Sequence, residues 1–205
     1  MKGYYFITDA QLSRAGIYKD TQKAIAAGVE VIQYRNKQAS SAQMYKEASV
    51  LRSLCKRRIF LVNDRIDIAL AVGADGVHLG ADDLPYEVAR KILGKDKLIG
   101  MTVRTLEQAR DAQRKGCDYV GVGPVFRTRT KKDCGAPTGV RLIREVKKYL
   151  RIPVVAIGGI NLSNAPAVVS AGADMLCAIS AVVSAQDVAR QIRAFQQLYF
   201  SSPSR

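Results

Sequence analysis

The sequence predicts an α/β protein, a single (β/α)8 TIM barrel over residues 1–205, on three observations. Short β-branched runs alternate with amphipathic stretches of about ten to fifteen residues, one pair roughly every 25 residues. The strand-like runs are mostly apolar without strict alternation, the pattern of parallel strands covered on both faces. The first strand is followed by Ile7-Thr8-Asp9-Ala10-Gln11, without the glycine-rich turn that usually opens a doubly wound nucleotide-binding sheet.

Strands are expected at 4–7, 29–34, 59–62, 76–79, 98–101, 119–122, 153–157 and 175–179. The clearest helical periodicities lie at 40–56, 105–115 and 186–199. One phrase recurs three times, as Gly73-Ala74-Asp75-Gly76-Val77, Gly116-Cys117-Asp118-Tyr119-Val120 and Gly172-Ala173-Asp174-Met175-Leu176. Each copy fits a helix ended by a glycine, then an acid, then a strand. That spacing puts the three aspartates at the N-terminal ends of strands, the face of a barrel that serves stability. Eight right-handed βα units close into a barrel, and residues 201–205 are expected to form a flexible tail.

Composition bounds the function. At roughly 150 residues per domain the 205-residue chain allows one or two domains, and it is long enough to fold without a disulfide or structural metal. With 48% hydrophobic and 24% charged residues, disordered, collagenous and coiled-coil classes are excluded. Cys55, Cys117, Cys134 and Cys177 have no CxxC spacing and only His78 to join them, so buried free thiols in a reducing compartment are expected rather than a zinc site. The most apolar stretch, 164–185, contains Pro166 and Asp174, which disfavours a membrane span. Residues 1–16 lack the apolar run of a secretory signal, and a cytoplasmic location is expected. The net charge of +14 suits nucleic acid, an acidic surface or small polyanions. Basic clusters lie at 56–58, 127–132 and 141–151, the last with apolar residues at helical spacing. No nucleic-acid recognition motif accompanies them, but charge alone does not choose among nucleic acid, an acidic surface and small phosphorylated molecules, and a homo-oligomer stays possible.

Barrel active sites sit at the C-terminal ends of the strands. The residues there are Gln33-Tyr34-Arg35-Asn36-Lys37, Asn63-Asp64-Arg65, Gly80-Ala81-Asp82-Asp83, Thr102, Gly123-Pro124, Thr128-Arg129-Thr130-Lys131-Lys132, Gly158-Gly159 and Ser180. Gly158-Gly159 and the Ile179-Ser180 start read as a phosphate cradle, because glycines let backbone N–H groups approach an anion and a helix N-terminus adds positive potential. The competing interpretation is a tight turn with Ser180 as a helix cap. Asp64 and Asp83 on neighbouring loops suit a hard cation, since Mg²⁺ takes one or two carboxylates plus water and phosphate oxygens. Either aspartate alone is equally a helix cap, with Pro85 in a first helical turn. Arg35, Lys37 and Lys131 are the natural counter-charges of a diphosphate. His78 falls inside the fourth strand and is expected to be a satisfied barrel residue. Cys134 has basic neighbours but no histidine placed to activate it, which disfavours acyl transfer.

Over nearly its whole length the sequence resembles the thiamine phosphate synthase family. The matching residues are Tyr5-Phe6-Ile7-Thr8-Asp9, Gln33 to Lys37, Val62-Asn63-Asp64-Arg65, Asp75 to Gly80, Asp83, Gly123-Pro124-Val125-Phe126, Thr128 to Asp133 and Ala156-Ile157-Gly158-Gly159-Ile160. The resemblance implies a barrel transferase that joins a hydroxymethylpyrimidine diphosphate to a hydroxyethylthiazole phosphate, or its carboxylated form, with release of pyrophosphate. It implies that Gln33, Tyr34, Arg35, Asn36, Lys37, Asn63, Thr102 and Lys131 hold the pyrimidine diphosphate, with Arg35, Lys37, Lys131 and Thr102 as the catalytic set. It further implies that Asp64 and Asp83 bind Mg²⁺ and that Thr128, Arg129, Thr130, Gly159, Ile179 and Ser180 hold the thiazole phosphate. Departures are Thr102 for the usual serine, Ala81-Asp82-Asp83 for a Gln-Glu-Asp pattern, and Arg127 for a common proline. A related thiazole tautomerase carries a catalytic histidine where this chain has Pro124, and it tends to lose the metal carboxylates that this chain keeps.

Overall fold

Eight parallel strands close on themselves in sequence order. The computed structural model describes residues 2–130 and 135–200; the expectations for Lys131, Cys134 and the 201–205 tail lie outside the described residues. The strands are β1 (Gly3–Ile7), β2 (Val31–Tyr34), β3 (Ile59–Asn63), β4 (Gly76–Leu79), β5 (Leu98–Val103), β6 (Tyr119–Val122), β7 (Val154–Ile157) and β8 (Met175–Cys177). The helices are α1 (Ile17–Ala26), α2 (Ser41–Leu54), α3 (Ile66–Ala71), α4 (Tyr86–Leu93), α5 (Leu106–Lys115), α6 (Gly139–Tyr149), α7 (Ala165–Ser170), α8 (Ile179–Val183) and α9 (Val188–Phe200). The ring is sealed where β1 pairs with β8, Gly3 opposite Met175 and Tyr4 opposite Leu176.

Two predicted helix starts are capped by their own side chains: Ser40 Oγ accepts from the Gln43 N–H and Thr105 Oγ1 from the Gln108 N–H. At the other end of α5, Gly116 takes the left-handed conformation that closes the helix. Predicted strand boundaries are corrected in three places: β2 opens at Val31 rather than at residue 29, β5 runs on to Val103 and so contains Thr102, and β8 is shortened. The last strand stops at Cys177 and Ile179 opens α8, because an apolar run alone does not distinguish a buried strand from a buried helical turn. The apolar stretch 164–185 is thereby divided among α7, β8 and α8. Among the described residues no helix is long and apolar enough to cross a membrane.

Side chains alternate between two cores. Tyr4, Phe6, Ile32, Phe60 and Val62 point outward into the layer beneath the helices. Tyr5, Ile7, Val31, Leu61, Tyr119, Val155, Met175 and Cys177 fill the barrel interior, as the period-two geometry of a strand requires. Cys55, Cys117 and Cys177 are free and buried, and burial pushes the Cys55 and Cys117 thiols up to about 12.

The thrice-repeated aspartate has one job. Asp75 Oδ2 accepts from the Phe60 N–H of β3 and from Arg52 of α2. Asp118 Oδ2 accepts from the Ile99 N–H of β5 and from Arg90 of α4. Asp174 Oδ2 accepts from the Val154 N–H of β7 and from Lys147 of α6. Each carboxylate ties the start of one strand to its neighbour and to a helix. Asp118→Ala is expected to cost about 2 kcal/mol, since it leaves the Ile99 N–H without an acceptor and takes the carboxylate from the half-buried Arg90 guanidinium, which keeps only its bonds to Tyr86 and to the Gly94 and Lys97 carbonyls. Asp118→Asn, which keeps an acceptor for Ile99, should recover part of that loss in urea unfolding.

Candidate active site

The C-terminal mouth of the barrel opens into a cavity of about 230 Å³. From β2 and the turn after it come Gln33, Arg35 and Lys37; Asn63 and Asp64 come from the end of β3, and Asp83 from the loop after β4. Thr102 of β5 and Thr128 and Thr130 of the loop after β6 also face it, with Gly159, Ile179 and Ser180 on the far wall. Three sequence-predicted site residues have their side chains elsewhere. Tyr34 and Asn36 both donate to Glu47 Oε2 on α2, at 2.7 and 3.0 Å, and Arg129 is exposed outside the cavity lining.

Glu47 organises the 33–37 turn from behind. Burial alone would raise its pKa, but donors from Gln43, Tyr34 and Asn36 outweigh that and hold the carboxyl below its ordinary value. The turn is pinned from the other side by Thr8, whose Oγ1 accepts from the Arg35 N–H at 2.9 Å. Asp9, only 7% exposed, aims Arg35 through an ion pair at 3.6 Å. Its Oδ1 accepts from the Gln11 and Leu12 N–H groups, so the carboxylate is locked before it meets the guanidinium.

The two predicted metal carboxylates meet. Asp64 sits at φ 62°, in the left-handed region, and among the described residues it is the one non-glycine there. An aspartate tolerates that conformation better than most side chains, and such strain concentrates at functional positions. Asp64 is held by its N–H, which donates to the His78 carbonyl at 2.9 Å, and its Oδ2 lies 3.0 Å from Lys37 Nζ. Burial and the adjoining Asp64 carboxyl raise the pKa of Asp83, an effect the Gly80 N–H and Lys37 only partly offset. Asp83 Oδ2 accepts from that N–H at 2.6 Å. Neither aspartate caps the helix after it: α3 begins after Arg65 and α4 after Pro85, both without a side-chain cap bond. Pro85 itself is at the cap rather than inside the first turn. Two carboxylates crowded together with a single ammonium form an all-oxygen donor set short of positive charge, which fits a hard divalent cation that completes its shell with water and phosphate oxygens. Among the described residues no third metal-ligating side chain joins them.

On the opposite wall Gly158 and Gly159 have φ of 101° and 64°. A Cβ on Gly158 would come within 2.6 Å of Pro124, and one on Gly159 within 2.9 Å of the Phe126 carbonyl carbon. The diglycine turn is therefore demanded by the loop after β6, which crosses directly over it. Ser180 is not a cap: α8 follows Ala178 with no side-chain bond at its N-terminus, so its first-turn N–H groups are open to an acceptor.

Sequence reasoning missed several lining residues. Tyr5, Ile7 and Tyr119 rise from the barrel floor, and Arg104 stands at the end of β5. A Cβ on Gly135 would run into the Arg104 guanidinium. Arg104 lies two residues beyond Thr102, so strand parity was the available signal. His78 is satisfied, as expected, with both ring nitrogens next to hydroxyls, but it also lines the cavity.

The profile of a family described as thiamine monophosphate synthase matches residues 4–182. The thiamine-phosphate synthase of Methanosarcina barkeri is 52% identical over 193 residues, covering 94% of this chain and 88% of its own. That of Chloroflexus aurantiacus is 50% identical over 196 residues, covering 93% and 90%. The structure of a thiamine phosphate pyrophosphorylase from Pyrococcus furiosus superposes with a TM-score of 0.88 at 40% identity, covering 96% of this chain and 94% of its own.

Gly159→Ala is expected to destabilise the protein by about 1–3 kcal/mol through left-handed strain and collision with the crossing loop. Thermal unfolding measures the loss, and a Tm within error of the parent would show that the turn relaxes without it.

Proposed function

The chain belongs to the thiamine monophosphate synthase family, a family of transferases, and from that premise we propose how it performs the transfer. The pyrimidinylmethyl diphosphate loses pyrophosphate as its methylene C–O bond breaks, the electron pair leaving with the oxygen. The thiazole nitrogen then gives its lone pair to the methylene carbon, forming the C–N bond of thiamine phosphate and leaving the positive charge on the thiazolium. With a carboxylated thiazole, CO2 departs as well.

The observation that carries this reading is the convergence of Arg35, Lys37, Asp64 and Asp83 on one side of a cavity whose other side is a diglycine turn and an uncapped helix start. A dissociative step needs little acid–base help and much stabilisation of the departing charge. Arg35, aimed by Asp9, and Lys37 supply fixed positive charge beside the diphosphate, and Lys131 is proposed to add a third. Asp64 and Asp83 would hold Mg²⁺, which when bound neutralises charge on the diphosphate oxygens. Gln33, Asn63 and Thr102 orient the pyrimidine. The glycines, Thr128, Thr130 and the first turn of α8 receive the thiazole phosphate, so the attacking nitrogen is already positioned. Pro124 lines the same cavity and has no proton to give or take, which argues against a tautomerase. The net charge of +14 favours capture of both polyanions, more so at low salt, with small phosphorylated molecules as partners rather than nucleic acid.

The test is a coupling assay with both substrates, with and without Mg²⁺, reading thiamine phosphate and pyrophosphate. Equal, Mg²⁺-dependent formation of the two is expected, and no product from folded protein would overturn the reading. Asp64→Asn keeps the side-chain shape and its tolerance of left-handed backbone, yet should lower kcat roughly 100-fold, about 2.7 kcal/mol; unchanged kcat would remove Asp64 from the site. Lys131→Ala should slow turnover by at least ~10-fold, about 1.4 kcal/mol. An effect confined to the KM of the thiazole phosphate would contradict the role given to Lys131.

A further inference from the structure

A continuous line of polar side chains crosses the cavity floor. Gln33 Nε2 donates to the Tyr5 hydroxyl at 2.7 Å, and the Tyr5 and Tyr119 hydroxyls are 2.8 Å apart. The Tyr119 hydroxyl is 2.9 Å from His78 Nδ1, and His78 Nε2 is 2.9 Å from Thr102 Oγ1. The five residues come from β2, β1, β6, β4 and β5. Glycines hold the room for them: a Cβ on Gly100 would run into the Tyr119 ring, and one on Gly121 would come 3.1 Å from His78 Cε1. Both phenols are buried, and burial keeps them neutral by raising their pKa values far above the ordinary range.

The line has a direction. Each phenol carries one hydrogen, and a buried hydrogen needs an acceptor. With the Gln33 amide oriented so that Nε2 faces Tyr5, the orientation on which the direction depends, Tyr5 accepts from it. If Tyr119 also donated to Tyr5, the Tyr5 hydrogen would have no acceptor among the described residues. Tyr5 therefore donates to Tyr119, and Tyr119 to His78 Nδ1. With Nδ1 accepting, the ring proton is on Nε2 and points at Thr102. An imidazolium, or the opposite tautomer, would put a hydrogen on Nδ1 and leave one of the two phenol hydrogens without an acceptor among these side chains.

We propose that Tyr5 and Tyr119 are positioning residues that hold His78 as the neutral Nε2–H tautomer, so that Thr102 accepts from the ring and presents its own hydroxyl hydrogen to an accepting atom of the ligand. The ligand chemistry selected is an acceptor, a phosphate oxygen or an unprotonated ring nitrogen. Its identification with the pyrimidine diphosphate rests on the function proposed above; the tautomer does not.

The chain has one histidine, so 15N-histidine labelling gives two ring signals of unambiguous origin. In the ligand-free protein at mildly alkaline pH, Nδ1 should resonate as an unprotonated nitrogen and Nε2 as a protonated one. Tyr119→Phe removes the donor to Nδ1 and should bring both signals toward a tautomer average. Gln33→Glu, whose carboxylate must accept from Tyr5, should reverse the pattern to Nδ1–H. In the coupling assay Tyr119→Phe should cost roughly tenfold in kcat/KM for the pyrimidine diphosphate, and little further when added to Thr102→Val. A protonated Nδ1 in the parent protein, or a ring signature unmoved by Tyr119→Phe, overturns the relay. If no coupling product forms, the proposed function fails, while the ring signals still decide the relay.

Discussion

The pairing of β1 with β8 is the constraint on which everything else depends. Two strands separated by most of the chain meet with Gly3 opposite Met175 and Tyr4 opposite Leu176. Tyr4 strengthens the seam, since its hydroxyl donates to the Ala178 carbonyl at 3.0 Å. Once the ring closes, the C-terminal end of every strand faces a common axis, and residues remote in sequence become neighbours. Asp9 reaches Arg35, Lys37 reaches Asp64, and Gly158 lies beneath Pro124 only because the strands carrying them are held in one register. A shift by one residue along any strand would exchange its interior and exterior side chains.

The two ends of this barrel use carboxylates in opposite ways. At the N-terminal end, Asp75, Asp118 and Asp174 are each matched with a strand N–H and a basic side chain from a helix. Those acids are satisfied, and their contribution is to stability. At the C-terminal end Asp64 and Asp83 crowd each other and share one ammonium. That arrangement is unfavourable in the absence of additional positive charge, which is the charge the proposed Mg²⁺ would supply.

Between these extremes lies a layer of mostly buried groups. Glu47 holds Tyr34 and Asn36, Thr8 holds the Arg35 backbone, and Asp9 holds the Arg35 side chain. They leave the Arg35 guanidinium already aimed, so that little of its rotamer freedom remains to be lost on binding the proposed diphosphate.

Much was readable before folding. The count of eight strands, the helix starts at Ser40 and Thr105, the structural role of the repeated aspartates and the two acids on adjacent loops all follow from local pattern, because capping and strand-end chemistry are short-range. The parity of the buried strands was not readable. Tyr4, Tyr5, Phe6 and Ile7 are all buried, and a run covered on both faces carries no alternation to say which side chains enter the barrel. Thus the sequence alone could not separate Tyr34, whose side chain faces α2, from Gln33, which faces the cavity. It also could not bring Tyr5 to Tyr119, which lie 114 residues apart. The residue types and their order along the chain determined the barrel and the kind of chemistry at its mouth. Tertiary closure decided which of those residues face inward and which of them touch, since that depends on register around a closed ring.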